Sequence, residues 1–318
     1  MKTNKKKTGI IVFSIILILA LGILALYIFQ GKSKSDQSTN FSSKEFIAAI
    51  YVEGVIEDKN ATYNQEWILS TINNLKNNPK NVGIALFVNS PGGGVYQSDE
   101  VYLALQDYKT ANKKVYAYMG SLAASGGYYI SCAAEKIYAN RNTLTGSIGV
   151  IAGQSFDMTE LMENVGIKSE TFYAGRNKNM LNFNQPVTQE QRAIMQGIAD
   201  ECYKQFVGIV TNQRKLPYEK VEELADGRIY TAYQAIQNGL IDKIDSWENM
   251  IDDLCDDLEK PECKIKTFQI IQKQSFLDKL LTSKTEANNT KIAAQLGIPL
   301  NVYKELSEPI PYPAYLYK

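Results

Sequence analysis

Three almost unbroken apolar runs, separated by segments of helical spacing, limit the folds open to this chain more than any other feature. They are Phe46 to Val55, Val82 to Val88 and Val115 to Met119, and each reads as a buried strand. Between them, Trp67, Ile68, Ile72 and Leu75, then Val101, Tyr102, Leu105 and Tyr108, recur at the intervals of one helix face. A strand with one wet face alternates apolar and polar residues. These runs do not, so both faces must be covered, which is the pattern of an α/β protein with a largely parallel sheet. Lys136–Ala139 and Ser169–Tyr173 read as later strands. A long helix from about Thr188 to Lys215 opens on the capping box Thr188-Gln-Glu-Gln191. A short one opens on Thr231-Ala-Tyr-Gln234 and closes at Gly239. The pattern weakens beyond Ile265, so one domain over residues 45–260 is expected, with a C-terminal extension over 261–318.

The amino terminus stands apart from this pattern. Residues 1–8 are a basic tail carrying Lys2, Lys5, Lys6 and Lys7, and residues 9–29 are apolar. Gly9 to Ile28 carries no charge, and about 20 residues at about 1.5 Å rise match the ~30 Å hydrocarbon layer of a bilayer. A cleaved signal peptide has a shorter apolar region and a small-residue cleavage site, for which Tyr27-Ile-Phe-Gln30 is a poor candidate. No cysteine follows to carry a lipid. An uncleaved transmembrane signal anchor is therefore expected. The lysines before it outweigh Lys32 and Lys34 after it, which keeps the N terminus cytoplasmic. Residues 30–44 then form a flexible polar tether, and the remainder lies on the extracytoplasmic face of the cell membrane.

Composition narrows the chemistry. Charge is balanced at 34 basic and 34 acidic residues, so no net positive field exists to hold nucleic acid. The chain has no histidine, the commonest zinc ligand, and Cys132, Cys202, Cys255 and Cys263 lack the paired spacing of a zinc site. No metal and no cofactor is expected. Cys255 and Cys263 are near enough in sequence to close a disulfide across a short loop; isolated thiols fit equally well.

The missing histidine bears most heavily on the run Gly120-Ser-Leu-Ala-Ala-Ser125-Gly-Gly-Tyr-Tyr129, which presents a serine just after a strand. A serine hydroxyl needs a neighbouring base, and here that base must be a lysine, a carboxylate or a terminal amine. Ser125 is expected to open a helix running through Tyr129 to Ala134, where it is either a nucleophile or an ordinary N-cap. Ser121 and Ser131 lack the Gly-Gly pair that follows it. Asn89-Ser-Pro-Gly-Gly-Gly94 ends another strand, and its glycines let backbone N–H groups face a ligand. A phosphate cradle, a carbonyl-polarising turn and a plain tight turn all fit, although no Gly-Lys-Ser/Thr follows to favour phosphate. N–H groups from Gly92 and Gly126 together would form an oxyanion hole. A free lysine titrates at about 10.4 and must be desolvated to serve as a base near neutrality. Lys178, in Ala174-Gly-Arg-Asn-Lys-Asn179, follows a strand and a glycine, while Lys136 and Lys168 precede strands. Spacing alone does not decide among them.

Taken in order, several motifs resemble one family. They are Asn-Ser-Pro-Gly-Gly-Gly at 89–94, Ala-Ala-Ser-Gly-Gly-Tyr-Tyr at 123–129, Leu-Thr-Gly-Ser-Ile-Gly at 144–149 and Gly-x-x-Lys at 175–178. With Asp226-Gly-Arg228 and Gly239-Leu-Ile-Asp242, they make the stretch from Phe46 to Asp245 similar to the signal peptide peptidase A family, peptidase S49. The resemblance implies a fold like that of Clp protease and crotonase, built from repeated strand-strand-helix units. It implies Ser125 as nucleophile, Lys178 as general base, Gly92 and Gly126 as oxyanion donors, and Ser147 as the residue that holds the lysine amine. The single repeat looks like the half-length, membrane-anchored form. That form implies a homo-oligomeric ring or dome in which serine and lysine meet across a subunit boundary. The implied substrates are cleaved signal peptides and other apolar peptides at the membrane face.

Two other classes share the backbone logic. A crotonase-like enzyme would polarise an acyl thioester with the same two N–H groups and need no serine, and a non-catalytic membrane scaffold would keep only the fold. The tail from Pro309 to Lys318 is extended and rich in proline and tyrosine. Its segment Ala314-Tyr-Leu-Tyr317 resembles a peptide substrate and is a candidate to dock in an active-site groove.

Overall fold

The computed structural model describes residues 44–260, 264–270 and 314–316. The three apolar runs become β1 (Phe46–Glu53), β2 (Asn81–Ser90) and β4 (Lys114–Ala124), parallel neighbours with Ile50 beside Leu86 and Leu86 beside Ala117. The short β3 (Gly92–Gly94) follows β2. The crossovers are α1 (Gln65–Lys76) and α2 (Val95–Lys109). One edge of β4 is shared along its length by β5 (Lys136–Ala139) and then β6 (Leu144–Gly146). Beyond them, β8 (Lys243–Ile244) pairs with β5, and β7 (Ile229–Thr231) runs antiparallel to β6. At the opposite edge β9 (Lys264–Phe268), from the C-terminal extension, pairs with β1.

Both faces of the sheet are covered, which explains why its strands show no alternation. Phe46, Ala48, Ile50 and Val52 pack with Ile68, Ile72, Leu105 and Tyr108 of the crossover helices. Ile47, Ala85, Tyr116 and Tyr138 face the other way, against Met250, Ile251 and Leu254 of α8 (Trp247–Asp257). Helix ends are closed by side chains. Asn64 caps α1 by accepting the Trp67 N–H at 2.9 Å, and Lys113 Nζ donates to the carbonyls of Leu75, Lys76 and Asn78 at its other end. Burial in that position pushes the Lys113 amine below its ordinary pKa.

Along the rest of the chain lie α3 (Gly126–Ser131), α4 (Thr159–Asn164), α5 (Gln189–Arg214), α6 (Tyr218–Leu224) and α7 (Ala232–Gln237). Both expected capping boxes form, at Thr188 and Thr231. Arg214, at the end of α5, is almost fully buried and forks onto both oxygens of Asp242 at 2.8 Å. Asp242 also accepts the Ile137 N–H at 2.7 Å, so Gly239-Leu-Ile-Asp242 ties α5 to the sheet.

Two expectations need correction. Ser169–Tyr173 is not a strand: it is exposed throughout, with Phe172 at 88%, and no strand among the described residues lies beside it to complete its hydrogen bonds. The helix after Ser125 stops at Ser131 and does not reach Ala134, because the chain turns there towards β5. The basic tail, the apolar segment and all but the last residue of the tether lie outside the described residues, as does Cys263. Among the described residues, no helix is long and apolar enough to cross a membrane.

Candidate active site

β2 and β4 end side by side, but unevenly. Val88 pairs with Met119 and Ser90 with Ala123, so Gly120, Ser121 and Leu122 stand opposite Asn89 alone. Asn89 fills the gap: its Oδ1 accepts the Ser121 hydroxyl at 2.8 Å and the Leu122 N–H at 3.2 Å. This bulge sets the end of β4 beside the glycine turn of β3.

Ser125 follows at once with φ 53° and ψ −118°, a conformation that costs a non-glycine residue energy and is typically held at functional turns. Its side chain is 1% exposed, and Oγ has no hydrogen-bond partner; it does not cap α3. The Ser125 N–H donates to the Gly146 carbonyl at 2.8 Å. Next to it, Gly126 is tightly packed. A Cβ there would lie 2.5 Å from Ser98 Oγ and 3.1 Å from both Gly92 Cα and Gly93 N. The structure thus brings Gly92 and Gly126 together. Gly92, at φ 104°, rests its N–H on the Ser90 hydroxyl at 3.1 Å. Ser90 and Asn89 carry no separate signal in the sequence; only their place just ahead of the glycines hints at a role.

Ser147 lies at the end of β6, close to the nucleophile turn through Gly146, with φ 50° and 7% exposure. Its N–H donates to the Arg228 carbonyl at 2.8 Å. Lys178 is elsewhere in character: it is exposed, in a turn closed by its own N–H on the Gly175 carbonyl at 2.9 Å. Among the described residues neither Lys178 Nζ nor Ser125 Oγ has a hydrogen-bond partner, so one chain assembles Ser125, Gly126, Gly92 and Ser147 but does not join Lys178 to them. The other candidates fit less well. Lys136 donates to Asp257 at 2.9 Å, and that bond raises its pKa, the wrong direction for a base; Lys168 is exposed. The segment bearing Lys178 exposes Phe156, Leu161, Val165, Ile167, Phe172 and Phe183 to solvent, a large apolar surface for a chain on its own.

The glycine turn has two edges. Ile56 takes one, donating to Gly92 C=O and accepting from Gly94 N–H, each at 2.8 Å. Strand alternation then turns the N–H and C=O of Gly93 to the other edge. There the tail segment β10 (Ala314–Leu316) lies antiparallel, with Ala314, Tyr315 and Leu316 opposite Gly94, Gly93 and Gly92. The tail's backbone thus lies on the glycine turn beside Ser125.

Known proteins resemble much of this chain. The family profile described as Peptidase family S49 matches residues 107–260. A protein of Enterococcus faecium named as a candidate signal peptide peptidase SppA is 34% identical over 254 residues, covering 77% of this chain and 72% of that protein. The chloroplastic serine protease SPPA of Arabidopsis thaliana is 31% identical over 194 residues, covering 61% of this chain and 28% of that one. Among solved structures, a ClpP1 mutant from Listeria monocytogenes aligns with TM-score 0.43 at 17% identity, over 64% of this chain and 94% of that one.

Proposed function

The chain belongs to peptidase family S49 and is a serine peptidase, and on that premise we propose that it cleaves peptides through a Ser125–Lys178 dyad. The observation that carries the reading is the Ser125 hydroxyl: buried, strained at its backbone, without a partner among the described residues, and beside Gly126, which packs on Gly92. The lysine amine, uncharged, takes the hydroxyl proton as Oγ bonds to the substrate carbonyl carbon. The oxyanion so formed is held by the N–H groups of Gly126 and Gly92, the latter exchanging its contact with Ser90 for the substrate oxygen. The ammonium returns the proton to the leaving amine as the C–N bond breaks. Water then attacks the acyl-enzyme by the same base. Ser147 holds the amine in place.

In this reading Lys178 comes from a neighbouring copy. The supporting facts are a buried hydroxyl without a hydrogen-bonded base among the described residues, an exposed lysine, and an apolar surface around that lysine which needs covering. A ring or dome of subunits would satisfy all three. We read the fold as that of Clp protease and crotonase, with β2, β3 and α2 as one strand-strand-helix unit. The apolar segment at residues 9–29 would anchor the assembly with its catalytic domains on the extracytoplasmic face, where cleaved signal peptides and other apolar peptides accumulate. Such peptides would lie in extended form along the edge of β3 that β10 occupies, displacing the tail.

The test is chemical. A fluorophosphonate probe should label the purified protein at Ser125, and Ser125→Ala should abolish both labelling and peptide cleavage. Lys178→Ala should abolish cleavage with the fold intact by circular dichroism. Full cleavage by purified Lys178→Ala would remove the proposed base.

A further inference from the structure

β6 stands between two contacts that shape the site. On one side the Gly146 carbonyl accepts the Ser125 N–H; on the other the Ser147 N–H donates to the Arg228 carbonyl, each at 2.8 Å. Ser125 and Ser147 both hold positive φ, which serine adopts when its surroundings impose it. For Ser147, the imposing group is the turn Asp226-Gly227-Arg228. Gly227 sits at φ 87°, and Asp226 Oδ1 accepts the Arg228 N–H at 3.1 Å. Both carboxylate oxygens lie 2.8 Å from Arg228 Nε, and Nη2 adds a further contact with Oδ2. The Arg228 backbone is thus held through its amide and its side chain together, with its carbonyl turned to Ser147. Nothing separates the two layers. A Cβ on Gly146 would lie 2.6 Å from the Tyr230 ring and 3.0 Å from the Arg228 carbonyl oxygen.

We propose that Asp226 is a positioning residue for the peptidase reaction: acting through Arg228, it fixes Ser147 and so the place where the lysine amine is held. The proposal rests on the Ser125–Lys178 reading and on Ser147 as the residue that orients the amine. Solvent exposure separates it from a structural role. Asp226 and Arg228 both face water, and exposed ion pairs contribute little to folding, so removing the carboxylate should disturb the reaction far more than the fold. Arg228 also holds the Asp226 carboxyl below the usual carboxylate range, which keeps the brace ionised wherever the enzyme would be assayed.

The experiment compares Asp226→Ala, Asp226→Asn, Ser147→Ala and the Asp226→Ala/Ser147→Ala double variant of the full chain, by steady-state peptide cleavage and thermal denaturation. Asp226→Ala should lower kcat roughly 10- to 100-fold, as expected for a small misplacement of a catalytic group, with KM and Tm almost unchanged. Asp226→Asn keeps an acceptor for the Arg228 N–H and should recover most of the loss. Because Asp226 acts through Ser147, the double variant should fall no further than Ser147→Ala alone. Wild-type kcat in Asp226→Ala, or the same fold loss with and without the Ser147 hydroxyl, would overturn the proposal. So would full activity in Ser147→Ala. The underlying dyad fails by a different result, retained cleavage in Lys178→Ala.

Discussion

At Gly126 a single added carbon would meet Ser98 Oγ and crowd Gly92 and Gly93. Once the Ser98 hydroxyl has turned aside, Gly126→Ala still presses on the glycine turn and should shift α3 or the turn, parting the two proposed oxyanion donors. Loss of one such donor typically lowers kcat by about 10²–10³, so a drop of at least about 100-fold is expected in peptide cleavage. Ser125 and its glycines stood out in the sequence as small residues directly after a long apolar strand. The residues alone left Ser125 between a nucleophile and an N-cap; its strained backbone and uncapped helix start appear only in the fold. Asn89 and Ser90 were not legible as site residues. Their roles depend on β4 carrying more residues than β2 at one point, and that mismatch exists only once the strands are paired. Lys178 was named from family resemblance; its surroundings in one chain give no independent sign of it.

At the scale of elements, periodicity worked where a strand or helix is long and packed on both sides, as in β1, β2, β4 and α5. It failed at Ser169–Tyr173, where Thr171, Phe172 and Tyr173 have the right residue types for a strand but no neighbour to pair with. Strands of two or three residues, such as β7 and β8, leave too little pattern to read. The tail strand makes the sharpest prediction at this scale. With β10 on the open edge of β3, truncation after Ser307 should free that edge and raise kcat/KM on short peptides. Unchanged kinetics in the truncated protein would show that the tail does not compete for the site.

For the molecule as a whole, what matters most is that neither Ser125 Oγ nor Lys178 Nζ finds a hydrogen-bond partner among the described residues. If each site draws its serine from one copy and its lysine from the next, two inactive variants can repair each other. Co-expression of Ser125→Ala with Lys178→Ala should restore about a quarter of wild-type activity for random mixing around a head-to-tail ring. A mixture as dead as its parts would place the dyad within a single chain. The parallel architecture of this domain was readable from three apolar runs, but its assembly was not. Which surfaces could take a second copy depends on where Phe156, Leu161 and Phe172 come to rest, and all three come to rest in water.

Ile56 closes one side of the glycine turn, and this has a consequence for what the turn can accept. Any visitor must arrive at the side where β10 lies and take its place against Gly93. There it meets main chain before it meets any pocket. The turn would therefore discriminate on backbone chemistry: proline or an N-methylated residue facing Gly93 has no amide hydrogen to offer and would be refused, whatever greasy side chain it brought.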